Sequence, residues 1–171
     1  MAEPTHTLMD GIQLIDSSLL DAVAERAKHS PRLRTNHNFH SGPADNPHRF
    51  LNALARGTYS APHRHLAPPK AETFVALRGE VLVFLFDDDG RVAAQHVLGR
   101  NGLYGIDIPA GVWHSVAAVS DSAICFEVKP GPYEVTNDKE FAPFAPREGE
   151  AGTHAYLERL LALPLPTQSS R

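Results

Sequence analysis

The sequence predicts an all-β fold, a sandwich or small barrel of short strands, with one helix ahead of it and a short helix behind it. Three observations carry this. Between residues 49 and 129, apolar runs of six to eight residues recur with turn residues between them. Ahead of them, Leu19, Leu20, Val23 and Ala27 form one helical stripe over residues 17–29. Behind them, Tyr156, Leu157, Leu160 and Leu161 do the same over residues 153–163.

In chain order, the first ten residues look disordered or loosely attached. Asp16 or Ser17 can cap the first helix, and Pro31 closes it. One such helix cannot stand alone and must pack on the strands. Residues 30–48 are rich in Pro, Asn, His and Gly and read as a long loop. The strand candidates are 49–55, 58–65, 72–78, 80–87, 91–98, 103–108, 114–120 and 123–129. Asp87-Asp88-Asp89-Gly90 reads as a solvated hairpin turn; it lacks the rest of a calcium loop. Residues 130–150 are Pro-rich and extended, and Pro164 and Pro166 stop the last helix. The expected organisation is a helix and polar loop over 1–48, the barrel over 49–133, and an extension with a short helix over 134–171.

Composition excludes several function classes. At 171 residues the chain suits one domain with a substantial core. Its net charge of −4 and pI near 6.2 give no electrostatic case for nucleic acid. No apolar stretch approaches the roughly 20 residues that span a membrane. The N-terminus lacks the charged and apolar regions of a secretion signal, so a cytoplasmic protein is expected. The single cysteine, Cys125, lies in an apolar run and reads as a buried small hydrophobe.

Four residues read as one metal site: His63, His65, Glu72 and His114. His63 and His65 are two apart, so on a strand both imidazoles point the same way. Glu72 opens the next apolar run and can return across a hairpin. His114 follows a Pro-x-Gly turn and completes the set from a distant strand. Three neutral imidazoles and one carboxylate suit one divalent first-row ion with open positions; zinc, iron(II), manganese and nickel are all compatible.

These stretches resemble the two motifs of the cupin superfamily, G-x5-H-x-H-x3,4-E-x6-G and G-x5-P-x-G-x2-H-x3-N. Gly57 to Gly79 carries the first with a gap of six between His65 and Glu72. Gly102 to His114 carries the second with one extra residue before Pro109, and Ala118 stands where the final Asn would be. The wider chain resembles the WbuC family of cupin-fold metalloproteins. That resemblance is carried by Arg34-Thr-Asn36-His37-Asn38-Phe39-His40, Pro62-His63-Arg64-His65, Phe86-Asp-Asp-Asp-Gly90, Gly111-Val-Trp113-His114 and Glu127-Val-Lys-Pro-Gly-Pro-Tyr133. It implies a double-stranded β-helix, or jelly-roll barrel, with a bound metal. It also implies a place beside polysaccharide and O-antigen sugar genes and, by analogy with cupins, a homodimer.

The rest of the pocket follows from alternation. Tyr59 and Ala61 share the face of His63 and His65; Phe74, Ala76 and Arg78 share that of Glu72. Arg78 reads as a barrel-end surface residue, Arg64 and Lys70 as outward or loop residues, and Trp113 as structural packing. Arg34, Asn36, Asn38 and His40 form a polar run that can fold over the barrel mouth and contact a small-molecule ligand, polar or anionic; Tyr133 can close the same mouth. Tyr59, His40 and Glu127 are the candidates for acid–base work. The expected function is a metal-dependent enzyme on a small carbohydrate or sugar-nucleotide derivative, with isomerase, epimerase or oxygenase chemistry. The alternative is a non-catalytic metal-dependent sugar- or acid-binding protein.

Overall fold

The structure, a computed structural model, describes residues 11–136 and 138–165. The reading of the first ten residues lies outside them. The elements are α1 (Ser17–His29), β1 (Arg34–Asn38), β2 (His48–Ala55), β3 (His63–Arg64), β4 (Glu72–Arg78), β5 (Val81–Phe86), β6 (Val92–Leu98), β7 (Gly105–Ile108), β8 (Trp113–Ala118), β9 (Ser122–Lys129), β10 (Glu140–Phe141) and α2 (Thr153–Leu161).

The strands form two antiparallel sheets, ordered β1-β2-β9-β4-β7 and β10-β3-β8-β5-β6. The pairs β2–β9, β3–β8 and β4–β7 are nested around the β5–β6 hairpin, so the chain winds as a doubled strand into a jelly roll. Between the sheets lie Leu54, Phe74, Val83, Leu98, Val116 and Cys125.

Each helix covers the outer face of one sheet. The side chain of Asp16 caps α1 by accepting from the Leu19 amide at 2.9 Å. Its stripe seats Val23, Ala24 and Ala27 on Leu51, Ala53 and Ile124. On the other side, α2 seats Tyr156, Leu157 and Leu160 on Leu82, Phe84, Phe86 and Trp113. This explains the unbroken apolar run of β5: the core covers one of its faces and α2 the other. By contrast, the outer face of β4 is uncovered, and its inward Glu72 and Phe74 alternate with exposed Val75 and Leu77.

Two expectations are corrected. The stretch read as a loop over 30–48 contains β1, an edge strand paired with β2 from Arg34↔Leu54 to Asn38↔Phe50. Its inward positions are polar, so no apolar alternation marks it. The strand read over 58–65 shrinks to His63–Arg64, because residues 57–62 approach it as irregular chain. Gly79, the last residue of the first motif, ends β4 at φ +65°, and a Cβ there would collide with the Ser122 carbonyl. Among the described residues, no helix is long and apolar enough to cross a membrane.

Candidate metal centre

His63, His65, Glu72 and His114 converge as the spacing predicts. His63 on β3 pairs directly with His114 on β8, His65 follows just past the end of β3, and Glu72 opens β4 in the facing sheet. All four are buried, and one ligand atom from each lies within 4.8 Å of the others.

The hydrogen bonds around the rings fix what those atoms are. Nδ1 of His63 donates to the Ala61 carbonyl at 3.0 Å, and Nδ1 of His114 donates to the Val112 carbonyl at 2.9 Å. Nδ1 of His65 donates to the Asp138 carbonyl in a short contact. With each Nδ1 proton so used, each neutral ring turns an Nε2 lone pair toward the centre. There His65 Nε2 lies 3.0 Å from Glu72 Oε1, and His114 Nε2 lies 2.9 Å from Glu72 Oε2. His65 Nε2 is a buried polar atom with no hydrogen-bond partner of its own. Lone pairs facing a carboxylate at this range repel unless a second ring proton or a metal ion sits between them. A divalent ion satisfies all four groups at once, so the residues fit the metal that the motif implies.

Electrostatics favours the ligand forms. Burial holds the His63 pKa well below the usual 6.5, with the charge of Lys139 pressing the same way. Burial alone would push Glu72 up, but hydrogen bonds from His114 and His65, given when a ring holds a proton on Nε2, and the charge of Lys129 hold it well below the carboxylate range. This carboxylate therefore draws positive charge to it, whether ring protons or a metal ion.

A buried ion network stands behind the centre. Asp138 accepts from Lys70 at 2.7 Å and Lys129 at 3.2 Å, while Lys129 lies 3.4 Å from Glu72 Oε1. Lys70, read as an outward or loop residue, sits in the loop before β4 but turns inward, only 4% exposed. The Asp138 carboxylate and the Pro132 carbonyl, which accepts at 2.5 Å, provide the partners that burial of a cation requires. Asp138 thus steadies two ligands: His65 through its backbone and Glu72 through Lys129.

A cavity of about 690 Å³ opens above His63, Glu72 and His114; His65 lies behind its floor. Arg34, Asn36, Asn38 and His40 line its wall, so the polar run faces the centre from a strand and its following turn. Asn38, Phe50, Glu127 and Phe74 form one row across the sheet. Arg34 is occupied by an ion pair with Glu148 and donates to the Tyr59 carbonyl at 2.7 Å. His40 stacks on His48 with centroids 4.1 Å apart.

Two acid–base candidates separate here. Tyr59 does not line the cavity; its hydroxyl donates to the Pro146 carbonyl at 2.6 Å, and its ring packs on Tyr156. Alternation could not reach it, since β3 begins only at His63. Glu127 lines the cavity, accepts from Asn52 Nδ2 at 2.9 Å, and is pushed up to about 8 by burial and the Glu72 charge. Of the flanking residues, Arg64 faces outward onto Glu140 at 2.8 Å, Arg78 bonds Asp21 of α1, and Trp113 packs in the core cluster beneath α2. Burial also pushes the Cys125 thiol up to about 12, so it is a packing residue.

Lys129, Asn52, Asp138 and Lys139 are site residues that the sequence reading does not single out. Alternation along β9 signals Lys129, because it shares a face with Cys125 and Glu127. Asp138 and Lys139 lie in a Pro-rich stretch whose sequence carries no period.

A family profile described as a domain of unknown function (DUF6016) matches residues 15–98. No curated protein sequence matches the chain. Among solved structures, the capsular polysaccharide assembling protein CapF from Staphylococcus aureus is similar with a TM-score of 0.55 and 18% identity, over 66% of this chain and 32% of CapF. The protein TT1209 from Thermus thermophilus is similar with a TM-score of 0.52 and 21% identity, over 70% of this chain and 98% of TT1209. The chain spans about a third of CapF, and the likeness extends to the fold, which is the cupin fold.

Two outcomes are expected. His65→Ala and His114→Ala should each lose most bound metal by elemental analysis, while Arg64→Ala, whose side chain faces away, should keep it. Glu127 affects stability with a defined sign. Its folded pKa of about 8 lies above its usual 4.5, so between those values the folded state binds more protons than the unfolded one and stability falls as pH rises. Glu127→Gln should flatten that decline in chemical denaturation between about pH 5 and pH 8, a range set by the same linkage relation.

Proposed function

We propose that this chain is a metal-dependent cupin of surface-polysaccharide metabolism that takes a small, hydroxyl-rich carbohydrate or sugar-nucleotide-type ligand into the cavity above His63, Glu72 and His114. The observation that carries the reading is that one cavity opens onto the four-residue centre through His63, Glu72 and His114 and is walled by amide and imidazole groups. Its volume suits a small molecule. The resemblance to the WbuC family supports the polysaccharide setting, and the fold shared with a capsular polysaccharide assembling protein lies in the same direction.

A divalent ion held here would polarise a carbonyl or activate water or dioxygen. The chain's own residues supply the rest. Asn36 and Asn38 offer paired donors and acceptors to ligand hydroxyls. Phe50 and Phe74 give the cavity apolar walls. Glu127, buried and held by Asn52, is pushed up from the carboxylate range and can take or give a proton at its carboxyl oxygen. That capacity favours an isomerase or epimerase over a protein that binds only.

Metal-loaded protein mixed with a panel of free sugars, sugar acids and sugar nucleotides and followed by NMR tests this. Binding of at least one member with turnover supports an enzyme, binding without turnover supports the non-catalytic alternative, and no binding by any member overturns the proposal. Asn36→Ala and Asn38→Ala should keep full metal content and weaken that binding roughly tenfold, the cost of a lost hydrogen bond.

A further inference from the structure

We propose that the cavity selects a ligand bearing a single carboxylate, and that Lys139 receives it beside the metal centre. The inference rests on the metal reading above and adds the ligand's charge and its receptor.

The register of β10 places Lys139. Phe141 pairs with His63 and Glu140 with Arg64, so one further antiparallel step sets Lys139 against His65. Side chains alternate along this stretch. Glu140 points outward and bonds Arg64 at 2.8 Å, while Lys139 and Phe141 line the cavity on the side of His63.

Of the lysines and arginines that line the cavity, Arg32, Arg34 and Lys129 each sit in an ion pair, and Lys139 does not. Arg34 is paired with Glu148. Lys129 is held between Asp138 at 3.2 Å and Glu72 at 3.4 Å. Glu127 takes the Asn52 amide and, pushed up to about 8, carries little charge at neutral pH. Lys139 has no ion pair and no hydrogen bond among the described residues. Burial and the charge of Lys129 press its pKa down and outweigh the more distant carboxylates of Glu72 and Glu127, which touch it in no ion pair. A half-buried cation without a direct ion pair is unfavourable, and beside a divalent ion it is more so. An anionic ligand relieves both.

The class of anion follows from the surroundings. One ammonium is a compact point charge that matches a monoanion. Glu72 and Glu148 line the same cavity, so the second charge of a phosphate would face carboxylates. A carboxylate next to a hydroxyl, as in a uronic or hydroxy acid, presents one anionic group to Lys139 and further oxygens to the asparagines.

Matched sugars separate these possibilities. Metal-loaded wild type is titrated by NMR with D-glucuronate, D-glucose and D-glucose 6-phosphate, with metal content measured in each sample. Glucuronate should bind at least tenfold tighter than either of the others. Lys139→Gln should weaken glucuronate about ten- to a hundredfold, the range for a charge-assisted hydrogen bond, and leave metal content unchanged. Equal affinity for glucuronate and glucose in the wild type, or no glucuronate binding at all, overturns the inference whether or not the variant folds. Tighter binding of the phosphate overturns the carboxylate class, and an unchanged Lys139→Gln overturns the receptor. Glucuronate preference in protein that holds no metal overturns the metal reading alone.

Discussion

The fold is organised around a single carboxylate that meets imidazoles from the opposite sheet. Glu72 belongs to the first sheet, while His63 and His114 belong to the second and His65 extends it. A jelly roll brings two inner faces close, and ordinarily side chains of the core fill the gap. At this end the gap is filled by groups that repel one another unless a cation joins them. The three backbone carbonyls of Ala61, Val112 and Asp138 fix the rings so that their lone pairs have nowhere else to turn. The binding free energy of a metal in such a site is also folding free energy, because the unfolded chain holds no such constellation.

The segment after β9 completes the site from outside the motifs. It supplies the Asp138 carbonyl to His65, the Asp138 carboxylate to Lys70 and Lys129, the Lys139 side chain to the cavity, and Glu148 to Arg34. Most of these contacts join residues distant in sequence and buried or half-buried in space. The Pro-rich stretch is therefore part of the cavity wall. A substitution there reaches the metal ligands through one hydrogen bond or one ion pair.

Much of this is legible in the sequence where physical periodicity and function agree. The cap at Asp16 and the stripe ending at Ala27 mark α1, and the unbroken apolar run of β5 marks a strand covered on both faces. The His-x-His spacing, Glu72 and the Pro-x-Gly turn before His114 mark the centre because alternation and turn chemistry allow few other arrangements. β1 is illegible for the opposite reason. Its inward residues face a polar cavity, so the burial that normally writes an apolar period is missing. Lys70 is misleading because an isolated lysine in a loop is ordinarily solvated, and its partner lies 68 residues away along the chain. Tyr59 is misplaced when alternation is extended past the true start of β3.

X-ray absorption at the edge of the metal carried by the purified protein tests the central claim most directly. About three imidazole nitrogens and one carboxylate oxygen should surround the ion at roughly 2.0–2.2 Å, with any remaining positions filled by light atoms, and the outer-shell scattering of histidine rings should be present. A shell of oxygens without ring scattering, or protein that binds no divalent metal at all, would contradict it.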